Sequence, residues 1–152
     1  MISSTEEIET LEIYLQIEAM RFSDQFDYQI NSILTEAERG AMTVPPMVAQ
    51  PFIENAILHG LMPKKDNRKL TVTYYEDNGK FICEITDNGI GRKAAEEIKL
   101  KKKNHHQSKG MKLTYDRIKV FNNMYEKEMQ VEVVDLVDEE QRPCGTRVKI
   151  FV

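Results

Sequence analysis

The chain has no tryptophan, two cysteines and three histidines in 152 residues, and each scarcity closes off a class of chemistry. Cys83 and Cys144 have neither metal-ligand spacing nor the numbers of a disulfide framework, so a reducing cytoplasm is the expected setting. His105 and His106 lie in a polar stretch with no third or fourth ligand arranged around them, which argues against a zinc centre. With 21 basic and 25 acidic residues the formal charge is -4, so no overall electrostatic footprint for nucleic acid exists. The Lys101-Lys102-Lys103 run is too local, and too poor in interleaved aromatics, to supply one. No apolar run approaches the roughly 20 residues that span a bilayer. The first residues are acidic where a signal peptide would be basic and then apolar. No glycine-rich stretch ends in Gly-Lys-Ser or Gly-Lys-Thr, which excludes a Walker loop.

What is present is the composition of one soluble globular domain, 41% hydrophobic and 30% charged, long enough to bury a core. Ser4-Thr5-Glu6-Glu7 has a capping-box pattern, and Ile8, Leu11, Leu15 and Ala19 recur at helical spacing to about Arg21. Ile13, Ile17 and Met20 widen that apolar face and suggest either a contact outside the domain or a helix sunk in its own core. Phe26 to Ile30 alternates as a strand, Glu36 to Gly40 reads as a charged loop, and Met47 to Leu58 reads as a helix. Pro51 is tolerable near that helix's first turn or at a kink, and Gly60 can end it. Two strands, Leu70 to Glu76 and Phe81 to Thr86, flank the turn signal Asp77-Asn78-Gly79. Lys93 to Leu100 can be helical, and the rest of the polar segment 92–109 reads as a mobile loop. A further helix carries Leu113, Ile118, Phe121, Met124 and Tyr125, and strands follow at Gln130 to Val137 and Thr146 to Val152. The expected fold is α+β, a two-layer sandwich with about five strands in a mixed sheet covered on one face by helices.

Four features stand in order along this frame: Glu54-Asn55 with His59 on a helix, Asp87-Asn88-Gly89-Ile90-Gly91 after a strand, Ser108-Lys109-Gly110-Met111 at a helix start, and Gly145-Thr146 entering the last strand. Each has a use around a nucleotide. A hard divalent cation prefers oxygen ligands such as an Asn amide or a Glu. A strand-end Asp can accept from the exocyclic amine of adenine, glycines admit close backbone approach, and a helix start offers free N–H groups to phosphate. Taken singly, Asp-Asn-Gly is also ordinary turn chemistry, and His59 is equally well a cation favoured at a helix C-terminus.

Together the four resemble the N, G1, G2 and G3 boxes of the Bergerat ATP-binding fold shared by gyrase, the Hsp90 chaperone, MutL and histidine kinases. The run from Val44-Pro45-Pro46 through Pro51-Phe52-Ile53-Glu54-Asn55-Ala56-Ile57-Leu58-His59-Gly60 resembles LytS-type sensor histidine kinases, as does the segment Leu11 to Phe22. The resemblance implies that Asn55 holds Mg2+ against the phosphates, that Glu54 orients or deprotonates the acceptor, and that Asp87 reads adenine. It further implies that Gly89, Gly91, Gly110, Lys109 and Met111 shape the ATP pocket, that Thr146 supports its adenine end, and that residues 92–109 form an ATP lid. Leu58 stands where many relatives carry a basic residue, so His59 or a lid lysine would supply that charge. Lys112 stands at the second glycine of the common Gly-x-Gly-Leu form.

By the same resemblance residues 1–22 continue from an upstream dimerisation and phosphoacceptor region, and residues 23–152 form the ATP-binding domain. The domain would be the cytoplasmic part of a membrane-anchored sensor, homodimeric at full length, with a response regulator as the next phosphoryl acceptor. No histidine precedes residue 59, so an upstream segment would carry the acceptor. Two alternatives stay open: a non-catalytic nucleotide-binding signalling module of the same fold, and an ATPase of the gyrase or MutL kind.

Overall fold

The structure, a computed structural model, describes residues 1–101 and 109–152, with the backbone alone at 99 and 109–111. The chain runs β1 (Ile2–Ser3), α1 (Ser4–Arg21), β2 (Asp27–Ser32), α2 (Glu36–Ala41), β3 (Thr43–Val44) and α3 (Gln50–Asn55), which continues as a π-helical segment, Ala56–Leu61. It then forms β4 (Lys69–Asp77), β5 (Lys80–Asp87), α4 (Arg92–Lys101), α5 (Lys109–Tyr125), β6 (Gln130–Val137) and β7 (Pro143–Phe151). Five strands make one mixed sheet in the order β2-β4-β5-β7-β6, in which only the β2–β4 pairing is parallel. The α+β sandwich expected from the sequence is the fold.

Alternation dictates the layering. Along β4 and β5, Leu70, Val72, Tyr74, Phe81, Cys83 and Ile85 are buried, joining Ile8, Leu11, Leu15, Phe52, Ile53, Ile57 and Ile118 of the helical layer in one core. The β4–β5 turn is tight because Asn78 and Gly79 both take positive φ (51° and 77°), as a primed hairpin turn requires. Burying the core's branched and aromatic side chains is worth roughly 1.5–3 kcal/mol each before the entropic cost of ordering the chain.

Several local readings shift. The capping box of α1 is Ser3 with Glu6, one residue earlier than the Ser4–Glu7 pattern. Glu7 is thereby left to turn inward. Glu36 to Gly40 is helical rather than a loop, because Thr35 and Glu38 form a second capping box. The helix expected at Met47 starts at Gln50, keeping Pro51 in its first turn, and it passes through Gly60 instead of ending there. The last strand, expected from Thr146, starts three residues earlier, with Pro143-Cys144-Gly145 part of β7. Ile2 to Ser4 is tied down as well: β1 pairs with β3, the Ser4 amide donates to the Met42 carbonyl at 2.9 Å, and the Ser4 hydroxyl donates to the Arg39 carbonyl at 2.6 Å.

Candidate functional site

The central strand, β5, ends on Asp87. Its neighbours in register are Leu70 on β4 and Thr146 on β7. Asp87 continues the parity of Cys83 and Ile85, so its carboxylate points into the helical layer, where the residue is only 4% exposed. An acid so placed needs donors, and two backbone amides supply them: Gly89 N–H donates to Oδ1 at 2.9 Å, and the Thr146 N–H also donates to the carboxylate. Desolvation by burial outweighs both bonds and pushes the Asp87 carboxyl up to about 6.

Three backbones converge on this acid. A β-carbon on Gly60 would lie 3.0 Å from Asp87 Oδ1, one on Gly89 would lie 2.2 Å from the Gly60 carbonyl oxygen, and one on Gly145 would lie 2.0 Å from the Asp87 carbonyl oxygen. The Ile90 N–H closes the contact by donating to the Gly60 carbonyl at 3.0 Å. The strand-end loop is thus clamped between the π segment and β7, and no side chain larger than hydrogen fits at Gly89 or Gly145. Asn88 holds it from outside: its Oδ1 accepts from Lys69 N–H at 2.7 Å, its Nδ2 donates to the Asn67 carbonyl at 2.7 Å, and Lys64 Nζ donates to the Asn88 carbonyl at 3.0 Å. Arg68 satisfies carbonyls left open at the end of the π segment, donating to those of Leu61 (2.9 Å) and Met62 (3.2 Å).

The π segment decides which residues of the preceding helix face this clamp. In π geometry hydrogen bonds run i to i+5, so a residue stacks over those four to five further on. Asn55 and Gly60 therefore share a face one turn apart, with His59 beside them. Asn55 and His59 are half-buried. Glu54 diverges from this face: it is exposed and turned toward α1, where its charge and that of Glu18 add to burial in pushing the Tyr14 hydroxyl above its usual range. Among the described residues no three His, Cys, Asp or Glu side chains gather as a metal cage. The donor at hand is the Asn55 amide oxygen, which suits an ion that takes most of its ligands from phosphate and water, as Mg2+ does.

Gly91 lies buried at the entry to α4, and Arg92 next to it makes a two-pronged pair with Asp135 of β6, at 2.7 and 2.8 Å. Lys109, Gly110 and Met111 open α5, as the helix-start reading requires, and α5 packs on α3 through the edge-on rings of Tyr115 and Phe52. His105, His106 and the Lys102-Lys103 part of the lysine run fall outside the described residues. Of the expected site residues, then, Asp87, Gly89 and Thr146 meet directly, and Asn55 and His59 stand on the face above them. Sequence reading did not single out Gly60 as part of the clamp, nor Glu7, Lys64 or Arg68. The signal available for Glu7 was an acid set within the apolar spacing of α1.

Sensor protein LytS of Bacillus subtilis (strain 168) is 30% identical over 91 residues, covering 60% of this chain and 15% of that protein. Sensor histidine kinase BtsS of Escherichia coli (strain K12) is 31% identical over 87 residues, covering 57% of this chain and 15% of that protein. Among solved structures, the catalytic domain of histidine kinase ThkA superposes with a TM-score of 0.62 at 14% identity, covering 99% of this chain and 94% of that one. No family model matches the sequence. The chain spans about 15% of the length of these two sensor proteins. Among the described residues no helix is long and apolar enough to cross a membrane.

Proposed function

We propose that this chain, a relative of LytS-type sensor histidine kinases with the fold of their catalytic domains, binds Mg-ATP and donates its γ-phosphoryl group to a histidine on an upstream segment. The observation that carries the reading is the buried Asp87 carboxylate, fixed by two backbone amides at the end of the central strand and overhung by Gly60. A carboxylate with its position set and lone pairs to spare suits the exocyclic amine of adenine. Asn55, one π turn from Gly60, would hold Mg2+ at the phosphate end, and the bound ion would offset charge on the triphosphate. Glu54, turned toward α1, would orient or accept the proton of the incoming imidazole.

The chain's own contribution is positioning. The glycine clamp sets the adenine end, α3 sets Asn55 and Glu54, and the start of α5 offers backbone N–H groups to phosphate. Residues 1–22 would continue from the phosphoacceptor region, and residues 23–152 would be the ATP-binding domain. A response regulator would take the phosphoryl group next. A non-catalytic signalling module is the second reading, motivated by Leu58 and Lys112 at positions where the resemblance implies a basic residue in many relatives and the second glycine of the common Gly-x-Gly-Leu form. Joining the chain to a segment bearing the acceptor histidine and assaying phosphohistidine with labelled ATP separates the two. Label on histidine supports the kinase, and nucleotide binding without label supports the module.

A further inference from the structure

The start of α3 has no cap of its own. Pro45 and Pro46 lack N–H groups, so the first free amides of the turn are those of Met47, Val48 and Ala49. Ala49 precedes the helix and has no side chain that could accept. All three amides donate instead to one carboxylate from another element, that of Glu7 on α1, with Met47 N–H to Oε2 at 3.2 Å. Glu7 is 2% exposed, and it lies on the buried stripe of α1 with Ser4, Ile8, Leu11 and Leu15. We propose that Glu7 is a positioning residue, through which α1 fixes where the helix bearing Glu54 and Asn55 begins.

No side chain at position 49 could replace this link: Ala49 is 1% exposed, and an N-cap there would reach the Phe52 N–H rather than the amides of residues 47–49. Here the cap crosses 40 residues of sequence, and burial pushes the Glu7 carboxyl above its ordinary range despite the three amides. Such a cap makes the axial position of α1 and the start of α3 a single mechanical quantity. The β1–β3 pairing and the Ser4 bonds to Met42 and Arg39 hold the same two segments together beside it. A displacement of α1 would pass to Asn55 through Glu7, with Asn55 less than two turns from Ala49.

The inference rests on the assignment of Asn55 to Mg2+, so its test has one arm that does not. Glu7→Gln and Glu7→Asp are compared with the unaltered chain by amide hydrogen exchange and by calorimetry with a non-hydrolysable ATP analogue, with and without Mg2+. The expected result for Glu7→Gln is exchange at residues 47–53 faster by on the order of tenfold, with the β5 and β7 amides unchanged. The enhancement of affinity by Mg2+ should shrink about fivefold or more, while Mg2+-free affinity holds. Glu7→Asp, which keeps the charge but shortens its reach, should fall between and serves if Glu7→Gln does not fold. Faster exchange with an undiminished Mg2+ effect would reduce Glu7 to a structural cap and overturn the proposal, as would unchanged exchange. If the unaltered chain binds no nucleotide, the reading of the site fails by itself, and the exchange arm still decides whether Glu7 couples the two helices.

Discussion

Gly89 lies so close beneath Gly60 that a β-carbon on it would sit 2.2 Å from the Gly60 carbonyl oxygen. That contact lets the strand-end loop and the π segment touch backbone to backbone, with the Ile90 N–H bonded to the same carbonyl. Gly89→Ala must therefore force the two apart. It should cost about 2–4 kcal/mol in chemical denaturation, in the range of severe overpacking, and should weaken nucleotide binding in any fraction that folds. A midpoint unchanged from the unaltered chain would contradict the clamp.

The raised carboxyl of Asp87 gives the stability a pH dependence of definite sign. Between the unfolded value near 4 and the folded value of about 6, the native state holds the proton more tightly. Stability should fall as pH rises through that window and flatten above it, by on the order of 2–3 kcal/mol if Asp87 acted alone. Glu7, also raised, adds in the same direction. Urea denaturation at several pH values, on the chain and on Asp87→Asn, checks this: the variant should lose a large part of the slope. If Asp87 reads adenine as proposed, nucleotide affinity should run the other way, weakening as pH drops through about 6, because the ionised carboxylate would be the acceptor.

Asn55→Ala separates the two ends of the site. If Asn55 holds Mg2+ and Asp87 reads adenine as proposed, binding of an ATP analogue without Mg2+ should be preserved in the variant, while the gain in affinity on adding Mg2+ should fall at least about tenfold. Calorimetry with and without the ion reads both. A full Mg2+ effect in the variant would move the metal role elsewhere.

Much of this was legible in the sequence, where local physics and tertiary structure agree. The hairpin at Asn78-Gly79 and the buried stripe Ile8, Leu11, Leu15 and Ala19 follow from period and turn chemistry, and both are as expected. Ile13, Ile17 and Met20 are 59%, 57% and 76% exposed, so the wider face of α1 is not sunk in the chain's own core. What escaped notice depends on contacts distant in sequence. Two capping boxes compete at Ser3-Ser4, and only the packing of α1 against residues 47–49 selects the first and frees Glu7. Gly60 reads as a helix terminator, yet the helix loosens to π geometry there and continues, because its bare backbone lies against Gly89 and Asp87. A period of 3.6 places Asn55 and His59 on one face, whereas only the π turn brings Gly60 beneath them.

If Asp87 reads the adenine of a bound nucleotide, as proposed, calorimetry of Asp87→Ala against the unaltered chain with a Mg2+-loaded, non-hydrolysable ATP analogue should show it. The unaltered chain should bind saturably and the variant should not, with its fold intact by circular dichroism. Equal affinity in both would contradict it.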